Sequence, residues 1–357
     1  MAITLSSIAE ELSVSRGTVS RALRDDSQIS AHTRNRIKSH AKKMGYSPNL
    51  VARGLSVGKT QTIGFLAGSP SLETTSTMEA KLDELANNTG YEVYVAHTKG
   101  DLDITAKRAH KLIGRGVDGL IIKGAFPKAA AEEIQAKLDF AVPTVLLGEP
   151  AYFPSRRVYQ DRNVGVRDAI NHLYQLGHRQ IYMFSRFWSG WEKDMRFIEF
   201  NRSIESHGLG KGPERLHGTD EGYVKKGTRH IIDVDLAFSQ TKEFLNVHPD
   251  CTAILCIQSE FALFLVSALP RMGLSVPRDI SVVGFDDVNA MAYSQPPLST
   301  VAQPVEEMVN SAFELLMDEI ENSVDEPKQI VIPSKLIIRQ STGKVQSEAK
   351  ISATEEL

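Results

Sequence analysis

The spacing of apolar residues changes near residue 61 and divides the chain into two parts. Beyond that point, continuous apolar runs, which predict buried strands, alternate with amphipathic stretches, which predict helices. The predicted strands lie at 62–69, 91–98, 119–124, 143–149, 180–186, 252–257 and 280–287, and the predicted helices at 78–90, 103–116, 128–140, 164–177 and 261–273. This alternation is typical of an α/β fold with parallel sheets, and the number of strands favours two subdomains with a ligand cleft between them.

Before that point, the first 47 residues carry three short helical patterns. Thr4 is placed to cap the first helix, and Ser15 is placed to cap the second after a short turn. A third helix is expected from about Thr33 to Met44, with Gly45 to end it. The apolar positions that these helices are expected to bury are Leu5, Ile8, Ala9, Leu12, Val19, Ala22, Leu23, Ile37, Ala41 and Met44. The pattern predicts a small helix-turn-helix domain.

The opposite face of the second helix carries arginines and small residues, namely Arg16, Gly17, Ser20, Arg21 and Arg24. Arginine can donate two hydrogen bonds to the acceptors of guanine in the major groove of DNA. An amphipathic hairpin with a solvated basic face is the alternative interpretation. The turn spacing, the capping serine and the two arginines at 16 and 21 together favour a DNA-binding helix.

Charge is distributed unevenly along the 357 residues. Residues 1–60 hold ten Lys/Arg and four Asp/Glu, a net charge of +6. The remainder of the chain holds 31 Lys/Arg and 40 Asp/Glu, a net charge of −9. A basic head on an acidic body indicates that only the head meets a polyanion. Between the two, residues 48–60 have weak helical character. They form either a flexible linker or a hinge helix that folds when two copies pair on DNA, with Leu55 suited to enter the minor groove.

Composition and motifs exclude several other classes of protein. The chain has no apolar run long enough to span a bilayer, and its opening residues lack the features of a signal peptide, so a cytoplasmic protein is expected. Cys251 and Cys256 are expected to be buried and reduced, and no metal site or cofactor is expected. The segment VGKT at 57–60 lacks the first glycine of a phosphate-binding loop. With no catalytic motif present, the chain is not expected to be an enzyme. A solute-binding protein of the transport type is the other alternative to a DNA-binding protein, and the basic head argues against it.

Residues 4–24, followed by 29–65, resemble the lactose/galactose repressor family of bacterial transcription regulators. Later segments are similar as well: LGHRQI at 176–181, ISVVGFDD at 280–287, PPLSTVAQP at 296–304 and IPSKLIIRQST at 332–342. The resemblance implies a three-helix head (1–47), a hinge helix (48–60) and a two-lobed core similar to periplasmic sugar-binding proteins (61–342). It places the first lobe at about 61–160 and 304–324, and the second at about 161–300 and 325–342. The lobe crossings are then expected near 159–163, 298–304 and 322–330.

The resemblance also implies roles for residues of the head. By motif position, Arg16, Gly17 and Arg21 read bases, and Leu55 is the minor-groove leucine. The residues that match phosphate-contacting positions are Thr4, Ser15, Thr18 and Ser20. Gly17 brings no side chain to the groove, so the two arginines are expected to carry most of the direct readout.

In the core, the positions that match effector-binding residues of the family are Ser69, Lys123, Trp191, Arg196, Gln258 and Asp286. The chain departs from the family pattern in three places. Glu199 replaces a glycine, Gln258 replaces an asparagine, and Gly148 replaces a polar residue. Glu149, which follows Gly148, is a candidate to take over the role of that polar residue. An arginine, a carboxylate and an amide together suit a polyol. Alternatives are a buried ion pair between Arg196 and Asp286, and a packing role for Trp191.

The resemblance implies a homodimeric repressor that binds a pseudo-palindromic operator at the nucleoid and is released by a carbohydrate inducer. A sugar phosphate, or a purine or nucleoside acting as a co-repressor, is the alternative effector. The final residues, 343–357, are polar and lack leucine heptads, so a disordered tail and a dimer are expected.

Overall fold

The structure is a computed structural model that describes residues 3–46, 59–68, 73–124, 131–148, 154–185, 194–218, 223–226, 229–322 and 326–346. Contacts divide the chain into two units, Met1–Thr60 and Gln61–Leu357. We call them the head and the core. Predictions that fall on Leu55, Ser69, Glu149 and Trp191, and on the tail beyond 346, lie outside the described residues.

The described part of the head, residues 3–46, contains three helices, α1 (Leu5–Leu12), α2 (Arg16–Leu23) and α3 (Ala31–Met44). The side chains of Thr4, Ser15 and Ser30 each accept a hydrogen bond from the backbone three residues later, so every helix begins at a capping hydroxyl. Helix α3 ends at Gly45, whose φ of +73° suits glycine. The fully or nearly buried residues are Ile8, Ala9, Val19, Ala22, Ile37 and Ala41.

The core contains two six-stranded sheets. The first has the strand order β13-β5-β4-β3-β1-β2, and all of its strands are parallel. Its strands are β1 (Thr62–Ala67), β2 (Glu92–His97), β3 (Gly119–Gly124), β4 (Thr144–Gly148), β5 (Arg156–Asp161) and β13 (Gln329–Pro333). The helices that accompany this sheet are α4 (Glu73–Thr89), α5 (Leu102–Ile113), α6 (Ala131–Leu138) and α12 (Val305–Asn322).

The second sheet has the strand order β14-β12-β11-β10-β6-β7 and is parallel except for its edge strand β14. Its strands are β6 (Ile181–Ser185), β7 (Leu216–Gly218), β10 (Ala253–Cys256), β11 (Ser281–Phe285), β12 (Ser299–Ala302) and β14 (Lys335–Ile337). Its helices are α7 (Arg162–Gln175), α8 (Met195–Ser206), α9 (Val234–Val247), α10 (Ser259–Arg271) and α11 (Asn289–Tyr293). A separate hairpin pairs β8 (Tyr223–Lys226) with β9 (Arg229–Ile232).

The chain passes between the two lobes three times. The first two passages, at 161–162 and 302–305, fall where the sequence predicts them. The third does not. Strand β13 pairs with β5 in the first sheet, so the passage lies between Pro333 and Lys335. The assignment of Gln329–Pro333 to the second lobe and the expected crossing near 322–330 were therefore wrong.

The start of the tail also differs from expectation. Residues 343–346 pack on the second lobe, where the Val345 amide donates to the Leu176 carbonyl at 3.0 Å. The Gly343 carbonyl bonds His178 Nε2 at 3.0 Å. These bonds order a segment whose polar composition indicated disorder. Cys251 and Cys256 are buried and free, as predicted. In the described part of the chain, no helix is both long and apolar enough to cross a membrane.

Candidate DNA interface and effector cleft

Helix α2 presents its polar face to solvent. The side chains of Arg16 and Arg21 are exposed, and so is Gly17 between them, while Val19 and Ala22 on the opposite face are buried. Arg21 makes one long contact, from Nη1 to Gln28 Oε1 at 3.5 Å. The two arginines are thus presented by a rigid helix and are open to a partner, as major-groove recognition requires.

Three other cations of the head form bonds within it. Arg36 donates to the Leu12 carbonyl at 2.9 Å, and Lys38 lies 2.6 Å from Asp25. Arg34 donates to the Asp25 carbonyl at 2.9 Å. These bonds tie α3 to the loop after α2 and to the end of α1. They set Arg16 and Arg21 apart from the structural arginines of the same domain.

Three of the four hydroxyl residues predicted to contact phosphate lie at or near helix starts, and the fourth, Ser20, lies in the middle of α2. Thr4 and Ser15 are the caps of α1 and α2, and Thr18 Oγ1 lies 2.8 Å from Ser15 Oγ. Ser20 is half-buried, and its Oγ accepts a bond of 2.8 Å from Arg24. The N-terminus of a helix favours anions because its amide groups and its dipole point toward them. Thr4, Ser15 and Thr18 therefore occupy positions suited to phosphate.

In the core, the described candidate residues lie at the carboxyl ends of strands, where parallel sheets bind ligands. Lys123 is the penultimate residue of β3, Gln258 follows β10, and Asp286 follows β11. Arg196 is the second residue of α8 and donates through Nη1 to the Ile257 carbonyl at 3.0 Å. Arg196 is thereby held next to Gln258.

Arg196 forms its ion pair with Asp194 rather than with Asp286. Its Nε and Nη2 donate to the two carboxylate oxygens of Asp194 at 3.0 and 2.6 Å. Asp194 also caps α8, because its Oδ1 accepts a bond of 2.9 Å from the Arg196 amide. Burial raises the pKa of Asp194, but the hydrogen bonds and charge of Arg196 outweigh this and bring the pKa below its usual value. Asp194 was not among the site residues predicted from the sequence.

Asp286 and Lys123 influence each other across the two lobes. Burial lowers the pKa of Lys123 to about 8, and the charge of Asp286 opposes this shift. Burial raises the pKa of Asp286, while Arg162, Arg196 and Lys123 lower it. Lys123 Nζ also donates to Thr75 Oγ1 at 2.7 Å. The charges of Lys123, Arg162 and Arg196 thus all act on Asp286. Arg162, which begins α7 after the first crossing, is a second residue that was not predicted from the sequence.

A cavity of about 410 Å³ opens between the lobes on the Asp286 side. Its walls come from the starts of α4 and α12 in the first lobe and from the loop after β11 in the second. At its edge, Glu73 Oε1 accepts a hydrogen bond of 2.8 Å from the backbone amide of Asn289, the first residue of α11. Val288 before it offers no capping side chain, so a carboxylate of the first lobe caps a helix of the second.

Two departures from the family pattern have local explanations. Glu199 is only 5% exposed, and Arg167 Nε donates to it at 2.9 Å, so it is a paired buried charge. Gly148 has a φ of +135°, and a Cβ there would lie 2.7 Å from the Gly124 carbonyl oxygen. A polar side chain is therefore excluded at 148 by the backbone.

The head and core together define a class of protein. A helix-turn-helix with exposed arginines, attached to a two-lobed core with polar residues at its cleft, is the architecture of a DNA-binding regulator that responds to a small molecule. Residues 4–49 match the family described as bacterial regulatory proteins, lacI family, and residues 170–342 match the periplasmic binding protein-like domain. The chain therefore joins a lacI-family DNA-binding domain to a periplasmic binding protein-like domain.

Relatives along the full length agree with this assignment. The chain is 28% identical to the HTH-type transcriptional regulator RegA of Clostridium saccharobutylicum, over 96% of this chain and 100% of that protein. It is also 28% identical to the HTH-type transcriptional repressor CytR of Escherichia coli K12, over 96% of each chain. A crystal structure of the Lac repressor dimer bound to operator and the anti-inducer ONPF matches with a TM-score of 0.82 at 26% identity, over 96% of this chain and 100% of that one. The protein is a transcription regulator, not an enzyme.

Proposed function

We propose that this protein is a homodimeric repressor that binds a pseudo-palindromic operator and is released when a carbohydrate binds between the lobes of its core. The exposed Arg16–Gly17–Arg21 face of α2 is the observation that carries the DNA-binding part of this proposal. The placement of Lys123, Gln258 and Asp286 at the carboxyl ends of strands, with Arg196 bonded beside Gln258, supports the effector part. The proposed site of action is the nucleoid, in the cytoplasm.

On the operator, Arg16 and Arg21 read base edges, and Gly17 lets the helix approach the groove closely. Thr4, Ser15, Thr18 and Ser20 position the head on phosphates, and Leu55 enters the minor groove. Contacts to phosphate fix the register of the head, whereas contacts to base edges carry the sequence preference. Operator affinity should therefore fall steeply with salt, while the preference for sequence should depend on the two arginines.

Exposed apolar side chains on the core support a homodimer. Tyr94 and Val95 are each 42% exposed on β2, the edge strand of the first sheet, and Tyr293 of α11 is 82% exposed. Aromatic residues are enriched at protein interfaces. Two copies that share these surfaces would present two heads to a two-fold symmetric DNA site.

The proposed effector site consists of Ser69, Lys123, Trp191, Arg196, Gln258 and Asp286. Donors from lysine and arginine, acceptors from a carboxylate, and an amide that does both match the hydroxyl groups of a sugar ring. Trp191 would supply an aromatic face for the apolar side of the ring. Effector binding favours one arrangement of the lobes, and thereby changes whether the two 48–60 segments pair and both heads dock.

Selection of DNA from a random library by the full-length protein tests the proposal. We expect enrichment of a two-fold symmetric site, protection of that site from nuclease, and its release by an unphosphorylated sugar in a panel of sugars, sugar phosphates, purines and nucleosides. Release by a sugar phosphate, or tighter DNA binding with a purine, would replace the inducer assignment with its alternative. A protein that enriches no sequence at low salt would contradict the operator assignment.

A further inference from the structure

The Arg196–Asp194 pair bears on the kind of effector that the cleft accepts. This point rests on the proposed function, because it concerns the same effector site. Both carboxylate oxygens of Asp194 are bonded to the guanidinium, in the two-point geometry that makes arginine–carboxylate pairs strong. The side chains are only 17% and 29% exposed, so solvent screens the pair weakly.

The charge that compensates Arg196 is permanently present at neutral pH. The pKa of Asp194 lies below its ordinary value because Arg196 bonds and faces it, even though burial acts in the opposite direction. A phosphate or carboxylate that approached Arg196 would meet an adjacent fixed negative charge. It would either displace Asp194 or lose its own hydration without gaining an uncompensated cation, and both are unfavourable.

The charged groups described around the site include more carboxylates than cations. The cations that act on one another there are Lys123, Arg162 and Arg196, and the carboxylates are Glu79, Asp194, Glu260 and Asp286. Burial shifts both Lys123 and Asp286 toward their neutral forms. The described wall therefore offers hydrogen-bond donors and acceptors without a net positive charge, which suits hydroxyl groups.

We infer that Asp194 is a specificity-determining residue, which neutralises Arg196 and makes the cleft selective for an uncharged polyol over a phosphorylated or carboxylated one. Asp194 is a positioning residue here, because it acts on the effector through Arg196. Arg196 keeps its orientation through the bonds to Asp194 and Ile257, and uses its N–H groups as donors instead of its charge.

The test compares the full-length protein with Asp194→Ser and Asp194→Asn. Serine and asparagine both retain a side-chain oxygen that can cap α8, so the helix should stay folded while the negative charge is removed. Asp279→Asn is the matched control, since it removes one carboxylate from the Arg278–Asp279 pair, which precedes β11 and so lies at the opposite end of that strand from Asp286. Thermal midpoints are measured with inorganic phosphate, glucose 6-phosphate and glucose.

We expect wild type and Asp279→Asn to show no thermal shift with either anionic probe. Both Asp194 variants should shift and bind these probes at least tenfold more tightly than wild type does, and the double variant Asp194→Ser/Arg196→Ala should lose this gain. Wild-type binding of phosphate or glucose 6-phosphate that depends on Arg196 would overturn the inference. So would folded Asp194 variants that gain no affinity for anions. Operator selection by the same preparations is an independent readout, so failure of the regulator assignment is distinguishable from failure of this one.

Discussion

The hydrogen bond between Glu73 and Asn289 is the basis of a quantitative prediction about the two lobes. It joins α4 of the first lobe to the first turn of α11 in the second, and it replaces the cap that Val288 does not supply. Hydrogen bonds to charged groups and helix caps each contribute about 1–2 kcal/mol. Since Glu73 is half-buried and Asn289 is exposed, we take the lower figure, about 1 kcal/mol.

Glu73→Ala should therefore shift the equilibrium between lobe arrangements about fivefold away from the one described here, and lower the thermal midpoint of the core by about 2 °C. Hydrogen exchange of the peptide that spans 286–293 measures the loosening directly. Glu73→Gln, which retains an acceptor, should lie between wild type and the alanine variant. Glu306→Ala is the control, because Glu306 lines the same cavity and its side chain makes no hydrogen bond or ion pair among the described residues.

The reasoning would be refuted if Glu73→Ala exchanged and melted like wild type. It would also fail if Glu306→Ala had the same effect as Glu73→Ala, since the effect would then come from removing negative charge from the cavity. A change in operator affinity that accompanies faster hydrogen exchange of residues 286–293 would link the contact between the lobes to the control of DNA binding.

Three further predictions concern other positions. A Cβ added at Gly17 would contact only Ser15 Oγ, at 3.6 Å, so Gly17→Ala should stabilise the head by about 0.5 kcal/mol and alter base preference in a DNA selection. A loss of head stability would contradict the free space around Gly17. The pKa of Lys123 is lowered to about 8 in the folded protein, so between about pH 8 and pH 10.5 the unfolded state binds more protons than the folded state, and stability rises with pH. The thermal midpoint of wild type relative to Lys123→Met should therefore rise from pH 7 to 9.5, and a difference that does not change with pH would refute the shift. Gly148→Ala should cost about 1–3 kcal/mol in urea unfolding, because its φ is +135° and the new Cβ would lie 2.7 Å from the Gly124 carbonyl oxygen, whereas Gly68→Ala, which meets nothing within 4 Å, should not.

The strands that sequence reasoning found are those with continuous apolar runs. All seven predicted strands are present, and six of them are mainly buried. Strand β2 is instead a largely exposed edge strand, so the prediction that it is buried was wrong. Strand β5 was missed because Arg156 and Arg157 make it appear polar. Arg156 is nevertheless buried, and it is compensated by Asp318 and Glu319 of α12, more than 160 residues later. No local pattern reports a partner at that distance.

The candidate sites divide in the same way. The exposed arginine face of α2 could be predicted almost completely, because the caps, apolar positions and arginines of a helix-turn-helix are set by local spacing, while its contacts with DNA stay a prediction. The cleft could be predicted only in part. Lys123 follows from its place at a predicted strand end, and Arg196 and Asp286 follow from the family resemblance, but the pairing of Arg196 with Asp194 and the approach of Arg162 depend on how loops from different strands meet. Tertiary contacts therefore decide the charge of the site.

The most direct test of the account is operator binding by Arg21→Ala. Fluorescence anisotropy would compare wild type, Arg21→Ala and Arg271→Ala, a core variant with the same loss of charge, on the selected operator and on a scrambled duplex. The account predicts that Arg21→Ala loses about 1–3 kcal/mol on the operator, loses discrimination at one base pair of each half-site, and keeps its effector-induced thermal shift. Wild-type affinity and specificity in Arg21→Ala would contradict the claim that α2 reads the DNA.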